Sequence, residues 1–590
     1  MMKIFGAAVT HQVSGFLNDN LKKIVSFEKA NQKMRDAFGI IHFFDGNEEL
    51  ERLKKALSET HQATEEPDRE EYGDFQTNSD LADKVALHLA SKNISPEIVI
   101  EPACGKGNFI IASLRSFKNI KNIFGVEIYK PYVWETKFSI ADFFLANPSA
   151  NKPEISIIHC NVFDFDFKGT AKKHSAKNVL VIGNPPWVTN SKLGSLNSTN
   201  LPRKTNFKNH SGLDAMTGKG NFDIAESITL MMIETFQSMK GNLLLLVKNS
   251  VIKNIVFDQN KNRYKISSVE KHCIDSKKEF NVSAEAALFY CRLNSSPSFD
   301  CASFDFYRPQ TSFLKFGWLN NKFVSNIHAY AHAKEIDGKC PFVWRQGLKH
   351  DCSSVMELDK AGEHYVNGLN EEVKLEDDLV YGILKSSDLK NTVIRQTRKF
   401  TIVTQKKIGQ ETNYIKTEYP KTYQYLARHQ ASFNARKSSI YRNKPLFSIF
   451  GVGDYSFKPF KVAISGFYKT FHFTLILPQH NKPVMLDDTC YLIGFDKIEF
   501  AVYSLMLLNS NAAVHFLQSV TFPDAKRTFT KDVLMRIDLL ELAKHIRKAD
   551  LKTALETLNE KHKLYLTLNL WDNFIHEMTP ANNGQIALFA

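Results

Sequence analysis

Residues 97–109 read EIVIEPACGKGNF, and the next residues, IIASLRSF, continue as an amphipathic helix. A short apolar run, a turn with two glycines and a helix opening directly after it form a strand–turn–helix unit, the geometry in which an α/β sheet holds an adenosine-bearing cofactor. Gly105 and Gly107 let the backbone pass close to a ligand. A dinucleotide fingerprint would need a third glycine where Ile110 stands, and the phosphate loop GxxxxGK[ST] is absent. A cofactor without a pyrophosphate therefore fits better than NAD or ATP. A plain tight turn is the competing reading of the same residues. Glu127 ends the next apolar run, NIFGVEI, where a carboxylate suits two ribose hydroxyls.

Outward from this unit the β-rich runs continue: EIVIE (97–101), NIFGVEI (122–128), EISIIH (154–159), NVLVIGN (178–184), NLLLLVKN (242–249) and AALFYCRL (286–293), with helical patterns between them. Such alternation predicts a mostly parallel sheet covered by helices. The run NVLVI ends in Gly183-Asn184-Pro185-Pro186-Trp187. Two successive prolines can continue neither a ladder nor a helix, so the chain is pinned at the strand end. There the Asn184 amide and the Pro185 carbonyl offer two acceptors for one NH2 group, and Trp187 offers a flat wall for a planar ring. A structural turn around a buried tryptophan is the alternative.

The chain has 590 residues, which length alone would divide into about four domains. With 43% hydrophobic and 24% charged residues it is not disordered, and it has too little glycine and proline for a fibrous chain. No apolar run reaches the roughly 18 residues of a membrane helix, and MMKIFGAAVTHQVSGF has no long apolar core with a small-residue cleavage site, so secretion is not expected. A cytoplasmic protein without a membrane partner is expected. The eight cysteines are scattered without a CxxC pair or nearby histidines at zinc spacing, so reduced thiols and no metal are expected.

The formal net charge is +13. Residues 385–469 hold seventeen basic residues against four acids, an excess as large as that of the whole chain. Aromatics interleave them, at Tyr414, Tyr419, Tyr423, Tyr425, Phe433 and Tyr441. Cations for phosphates mixed with flat side chains suit nucleic acid better than a membrane surface. Within this region Lys406, Lys407, Arg436, Lys437, Arg442 and Lys444 are the candidate DNA contacts.

Together the two motifs, in this order and about 80 residues apart, resemble the amino-methyltransferases that use S-adenosylmethionine, in which D/E-P-x-C-G-x-G binds the cofactor and N-P-P-[YFW] the exocyclic amine. Tyr72-Gly73-Asp74-Phe75-Gln76-Thr77 looks like the G-x-[FY]-x-T segment that precedes them in the gamma arrangement of DNA adenine methyltransferases. The stretch from Trp187 through Phe222-Asp223 is similar to that of restriction-modification members, and Phe280 in KKEFNVSAEAALFY resembles the aromatic on the far face of a flipped adenine. RQGLKHD (345–351, adding Arg345 to the DNA contacts), LKSSDL (384–389), FSIFGVGDYSFKPFKVAISG and LDDTCY (486–491) look like a target-recognition domain.

This resemblance implies a class I S-adenosylmethionine-dependent methyltransferase fold, a mostly parallel seven-stranded Rossmann-like sheet, with a C-terminal α+β recognition domain. It implies an N-terminal helical segment over 1–70, a catalytic domain over 71–310, a connecting region over 311–380 and the recognition domain with C-terminal helices over 381–590. The cofactor would meet Phe75, Thr77, Glu101, Ala103, Cys104, Gly105, Gly107, Glu127, Asn161 and Asn184. Asn161 stands where the family has an acid, with Asp164 as a substitute. Asn184, Pro185, Pro186, Trp187 and Phe280 would hold the base and direct its amino group. The substrate implied is adenine in double-stranded DNA, methylated at N6 with no metal, beside a separate restriction endonuclease. An RNA or protein amino-group methyltransferase, or a catalytically silent DNA-binding subunit, is the alternative.

Overall fold

The computed structural model describes residues 2–58, 75–188, 223–308, 312–362, 364–523 and 527–579. The linker from about 59, the Tyr72-Gly73-Asp74 start of the first motif and most of the stretch after Trp187, including Phe222, lie outside the described residues. The chain divides into two compact units, Met1–Phe323 and Val324–Ala590.

A hairpin of β1 (Met2–Ile4) and β2 (Ala7–Val9) opens the first unit, followed by helices α1 (His11–Leu21), α2 (Phe27–Phe38) and α3 (Asn47–Ser58). After the linker come α4 (Ser79–Ser91), β3 (Ile98–Glu101), α5 (Asn108–Ser116), β4 (Asn122–Glu127), α6 (Lys130–Ala146), β5 (Glu154–His159), α7 (Phe167–Lys173) and β6 (Val179–Gly183). Then follow α8 (Ile224–Phe236), β7 (Gly241–Lys248), α9 (Asn249–Asn262), β8 (Ile266–Cys273), α10 (Ser276–Phe280) and β9 (Ala286–Leu293), with β10 (Asp300–Asp305), β11 (Leu314–Leu319) and β12 (Lys322–Val324) last.

Strands β3, β6 and β7 are apolar almost throughout because helices cover both their faces; every residue of β3 and β6 is buried. The sheet runs β5-β4-β3-β6-β7-β9-β8-β10-β11-β12. Pairs from β5 to β7 are parallel, and β9 runs antiparallel between β7 and β8. The seven strands β3 to β9 thus have the order of the class I S-adenosylmethionine-dependent methyltransferase fold, as expected. Three further strands extend the sheet beyond seven. The chain reverses its strand order between β3 and β6, so the crevice at their carboxyl ends is where a ligand sits in such sheets.

Residues 2–58, the described part of the expected N-terminal segment, do not stand apart from the sheet unit. Thr10 Oγ1 donates to Asp142 Oδ1 at 2.6 Å, Lys137 Nζ donates to Phe43 O at 2.8 Å, and Phe43 and Phe44 pack on Trp134, all against α6. Gly39 and Ile41 also hydrogen-bond to Ile155, adding a short parallel bridge to the outer side of edge strand β5.

The second unit has two sheets. One orders β13 (Arg345–Gln346), β23 (Cys490–Phe495), β20 (Phe460–Ser465), β21 (Thr474–Ile476) and β18 (Val393–Ile394); the other orders β16 (Glu372–Val373), β15 (His364–Asn367), β14 (Glu357–Ala361), β19 (Lys399–Ile402), β17 (Val380–Leu384) and β22 (Met485–Leu486). The expected connector over 311–380 is divided instead: β11 belongs to the first unit's sheet, while β14 pairs with β19 in the register Leu358↔Phe400. Antiparallel pairing makes residues 357–373 part of the same sheet as 380–402. Among the described residues no single helix is long and apolar enough to cross a membrane.

Candidate active site

The carboxyl ends of β3, β4 and β6 open on one cavity. Phe75, Gln76, Thr77, Glu101 to Gly105, Asn108, Val126 to Tyr129, Tyr132, Cys160, Val162, Asn184 to Pro186, Ile224 and Ile228 are among the residues that line it. The two motifs and the described half of the third therefore converge, although 109 positions separate Phe75 from Asn184.

The turn after β3 is shaped by its glycines. Gly105 and Gly107 sit at φ +50° and +80°. A Cβ on Gly105 would lie 2.4 Å from Gln76 Oε1, and one on Gly107 2.7 Å from Thr136 Cγ2. Left-handed backbone and lack of space both require glycine. Three bonds hold the Phe75–Thr77 segment and α6 to this turn: Asn108 Nδ2 donates to Thr77 O at 2.7 Å, Lys106 N to Gln76 Oε1 at 3.2 Å and Thr136 Oγ1 to Gly105 O at 2.8 Å. Gly107 shapes the turn without lining the cavity; Gln76, Asn108 and Thr136 are the residues the sequence reading missed.

Two carboxyls meet at the bottom. Glu127 accepts from Gly105 N–H through Oε2 and from Tyr129 N–H through Oε1, both at 2.8 Å. Glu101 is 2% exposed, and its Oε2 has no hydrogen-bond partner among the described residues. Burial, with the nearby Glu127 charge, pushes the Glu101 carboxyl well above its ordinary range. Burial likewise raises the Cys104 thiol, which makes it an inert wall rather than a nucleophile.

Asn184 has the most informative bonding. Its Nδ2 donates to Phe75 O at 2.6 Å and to Thr77 Oγ1 at 3.2 Å. A backbone carbonyl can only accept, which fixes the amide's orientation and leaves Oδ1 facing away from both partners. That Oδ1 is buried and accepts no bond from a described residue. Behind Asn184, Trp187 is anchored: its Nε1 donates to Leu246 O at 3.2 Å, and Lys248 Nζ donates to Trp187 O at 3.0 Å and to Asp223 Oδ2 at 2.6 Å. Asp223 also caps α8 by accepting from Ala225 N–H at 3.0 Å, so it acts on the loop rather than lining the cavity.

Three expectations need correction. Neither Asn161 nor Asp164 lines the cavity: Asn161 Oδ1 turns back to accept from Phe163 N–H at 3.0 Å, Asp164 is exposed, and Cys160 and Val162 face the cavity instead. Trp187 and Phe280 do not frame an open slot. Their centroids are 5.3 Å apart in an edge contact, with Phe75 on Trp187 at 5.5 Å, whereas a ring between two stacked faces needs about 7 Å. Arg436 is no free phosphate contact. It donates to the carbonyls of Phe433, His350 and Ser448 and lies 3.7 Å over the Tyr441 ring, which makes it a cross-brace of the second unit. Arg345 is half-buried over Tyr455 at 5.5 Å, while Lys406, Lys407, Lys437, Arg442 and Lys444 are exposed.

No family model matches the chain. The Type II methyltransferase M.NspV of a Nostoc species is 40% identical to it over 479 residues, which cover 81% of this chain and 98% of that one. Among solved structures, the Type IIL restriction-modification enzyme MmeI in complex with DNA superposes with a TM-score of 0.52 over 92% of this chain and 82% of that one. At 12% identity that likeness is one of fold.

Proposed function

The chain belongs to the Type II methyltransferases, and from that membership we propose that it carries the methyl group of S-adenosylmethionine to the N6 amino group of adenine at a specific site in duplex DNA. Within a restriction-modification system this would protect the host's DNA in the cytoplasm against a separate endonuclease with the same target. The observation that carries the reading is the unpartnered, buried Oδ1 of Asn184 at the mouth of a Gly-rich cofactor turn.

The cavity's donors fit the cofactor. Glu127 stands at the end of β4, where its carboxylate would take the ribose hydroxyls. Ile128, Tyr129 and Val162 offer apolar and aromatic cover for an adenine ring, and the close-packed turn at Gly105 brings the backbone beside the ligand. When bound, S-adenosylmethionine supplies an electrophilic methyl on a sulfonium. The protein's own residues do the remaining work. Adenine's amino nitrogen is a poor nucleophile because its lone pair is delocalised into the ring. Oδ1 of Asn184 and the Pro185 carbonyl would accept its two hydrogens, favour a pyramidal nitrogen and stabilise the positive charge that grows on it. The paired prolines fix both acceptors, so little reorganisation is needed.

A base within a duplex cannot reach this cavity, so the target would leave the stack at a cost of a few kcal/mol. Stacking on Trp187, Phe280 or Phe75 would return about 1–3 kcal/mol for the stacked base. Methylation mapping of genomic DNA from a host that expresses this chain alone tests the reading. N6-methyladenine in one sequence context is expected; unmethylated DNA, or a methylated cytosine, would overturn it.

A further inference from the structure

Away from this cavity, three ligand-bearing side chains meet between α4 and β8. Glu270 and His272 are two residues apart on β8 and so leave the strand on one side. His88 comes from α4, and its ring lies 4.6 Å from that of His272 at 71°. One donor atom from each of the three lies within 4.8 Å of the others. His272 is 1% exposed, yet its Nδ1 has no partner among the described residues, and neither has the buried Nε2 of His88. Orphaned nitrogens at such depth are expensive in a folded protein and call for a partner. A bulge lies between Ser267 and Glu270, with Ser268 at φ +47°, just before the two ligand residues of β8.

We propose that His88, Glu270 and His272 form a binding site for one divalent transition cation, with Zn2+ the best match to two imidazoles and a carboxylate. A tetrahedral zinc site needs donor atoms about 3.3 Å apart, which small ring rotations reach from the present spacing. The Nε2 of His272 lies 2.8 Å from Glu270 Oε2, which holds the ring beside the carboxylate.

The ammonium of Lys92 holds the same carboxylate. Its Nζ sits 2.7 and 3.0 Å from the two oxygens of Glu270 and 4.9 Å over the Tyr290 ring. A divalent ion would displace it by charge competition for the same carboxylate. The bound ion would then pin α4, whose approach carries Phe75–Thr77, to β8, which leads three residues later into the helix bearing Phe280. This role is independent of the methyl-transfer reading.

The test uses the full chain, stripped with EDTA and titrated with Zn2+ against a chromophoric chelator, with Co2+ as a spectroscopic substitute. One Zn2+ per chain is expected, with Co2+ giving the intense visible bands of a four- or five-coordinate site. His88→Gln, at a half-exposed position, should weaken Zn2+ roughly tenfold or more and alter the Co2+ spectrum, and His272→Gln should do the same where circular dichroism shows it folded. Lys92→Met should bind Zn2+ more tightly than the unaltered chain. No uptake of Zn2+ at micromolar concentration, or uptake that His88→Gln leaves unchanged, would overturn the proposal.

Discussion

Two side chains in the cavity carry opposite burdens. Asn184 spends its donors on Phe75 O and Thr77 Oγ1 and keeps its acceptor unspent. Asn184→Ala should therefore lower turnover on duplex DNA about a hundredfold while S-adenosylmethionine affinity, read by calorimetry, changes little. Near-native turnover would remove Asn184 from the chemistry. Burial, with the charge of Glu127, raises the Glu101 carboxyl in the folded protein. The folded state thus binds this proton more tightly than the unfolded chain does. The resulting stabilisation is complete below the unfolded carboxyl's ordinary value of 4.5 and is lost as pH rises toward the higher folded value. Glu101→Gln removes the titration without changing the shape. Thermal melts should then show the two proteins converging in acid and the variant becoming the more stable as pH rises; a gap independent of pH would contradict the assignment.

At the scale of elements, the motif after β6 is only as rigid as its supports. Lys248 at the end of β7 ties the Trp187 carbonyl to Asp223. Lys248→Met should cost about 1–3 kcal/mol in denaturant unfolding, because Asp223 is left buried without its cation, and should lower turnover as the loop loosens. Adding Asp223→Asn should restore much of the stability but not the turnover; recovery of both would make the pair purely structural. The sequence made the strands legible where burial on both faces leaves a continuous apolar run, as in β3, β6 and β7. It hid β8, whose ISSVEKHC buries only every third residue and carries a bulge. Gly105, Glu127 and Asn184 were legible because strand ends and glycine turns confine what such residues can do. Thr136 and Lys248 were not, since each acts on a segment far off in sequence. Arg436 misled for a related reason: composition counts a cation and says nothing of the three carbonyls that engage it.

For the whole molecule, the basic excess of residues 385–469 is less available than its count suggests. Lys385, Arg398, Lys399 and Lys458 are paired with Glu357, Asp388, Asp359 and Asp496, and Lys461 is buried with its ammonium lowered to about 7 by desolvation. Among the cations that are still exposed are Lys406 and Lys407, with Lys437, Arg442 and Lys444. If they grip phosphates, DNA affinity should fall with salt at a slope near −0.9 per contact, and Lys406→Gln with Lys407→Gln should flatten that slope by about 1.8. Fluorescence anisotropy across a salt series measures this, and an unchanged slope would place the contacts elsewhere. The short bridge that Gly39 to Ile41 lay along β5 has a consequence of another kind. A bare outer strand is a template on which a second chain can add itself, and proteins survive by covering it. Here the cover is the chain's own leading segment. A shortened protein beginning near residue 70 would keep its motifs and lose that shield, and it should come out of cells as oligomers and precipitate rather than as a smaller, well-behaved enzyme.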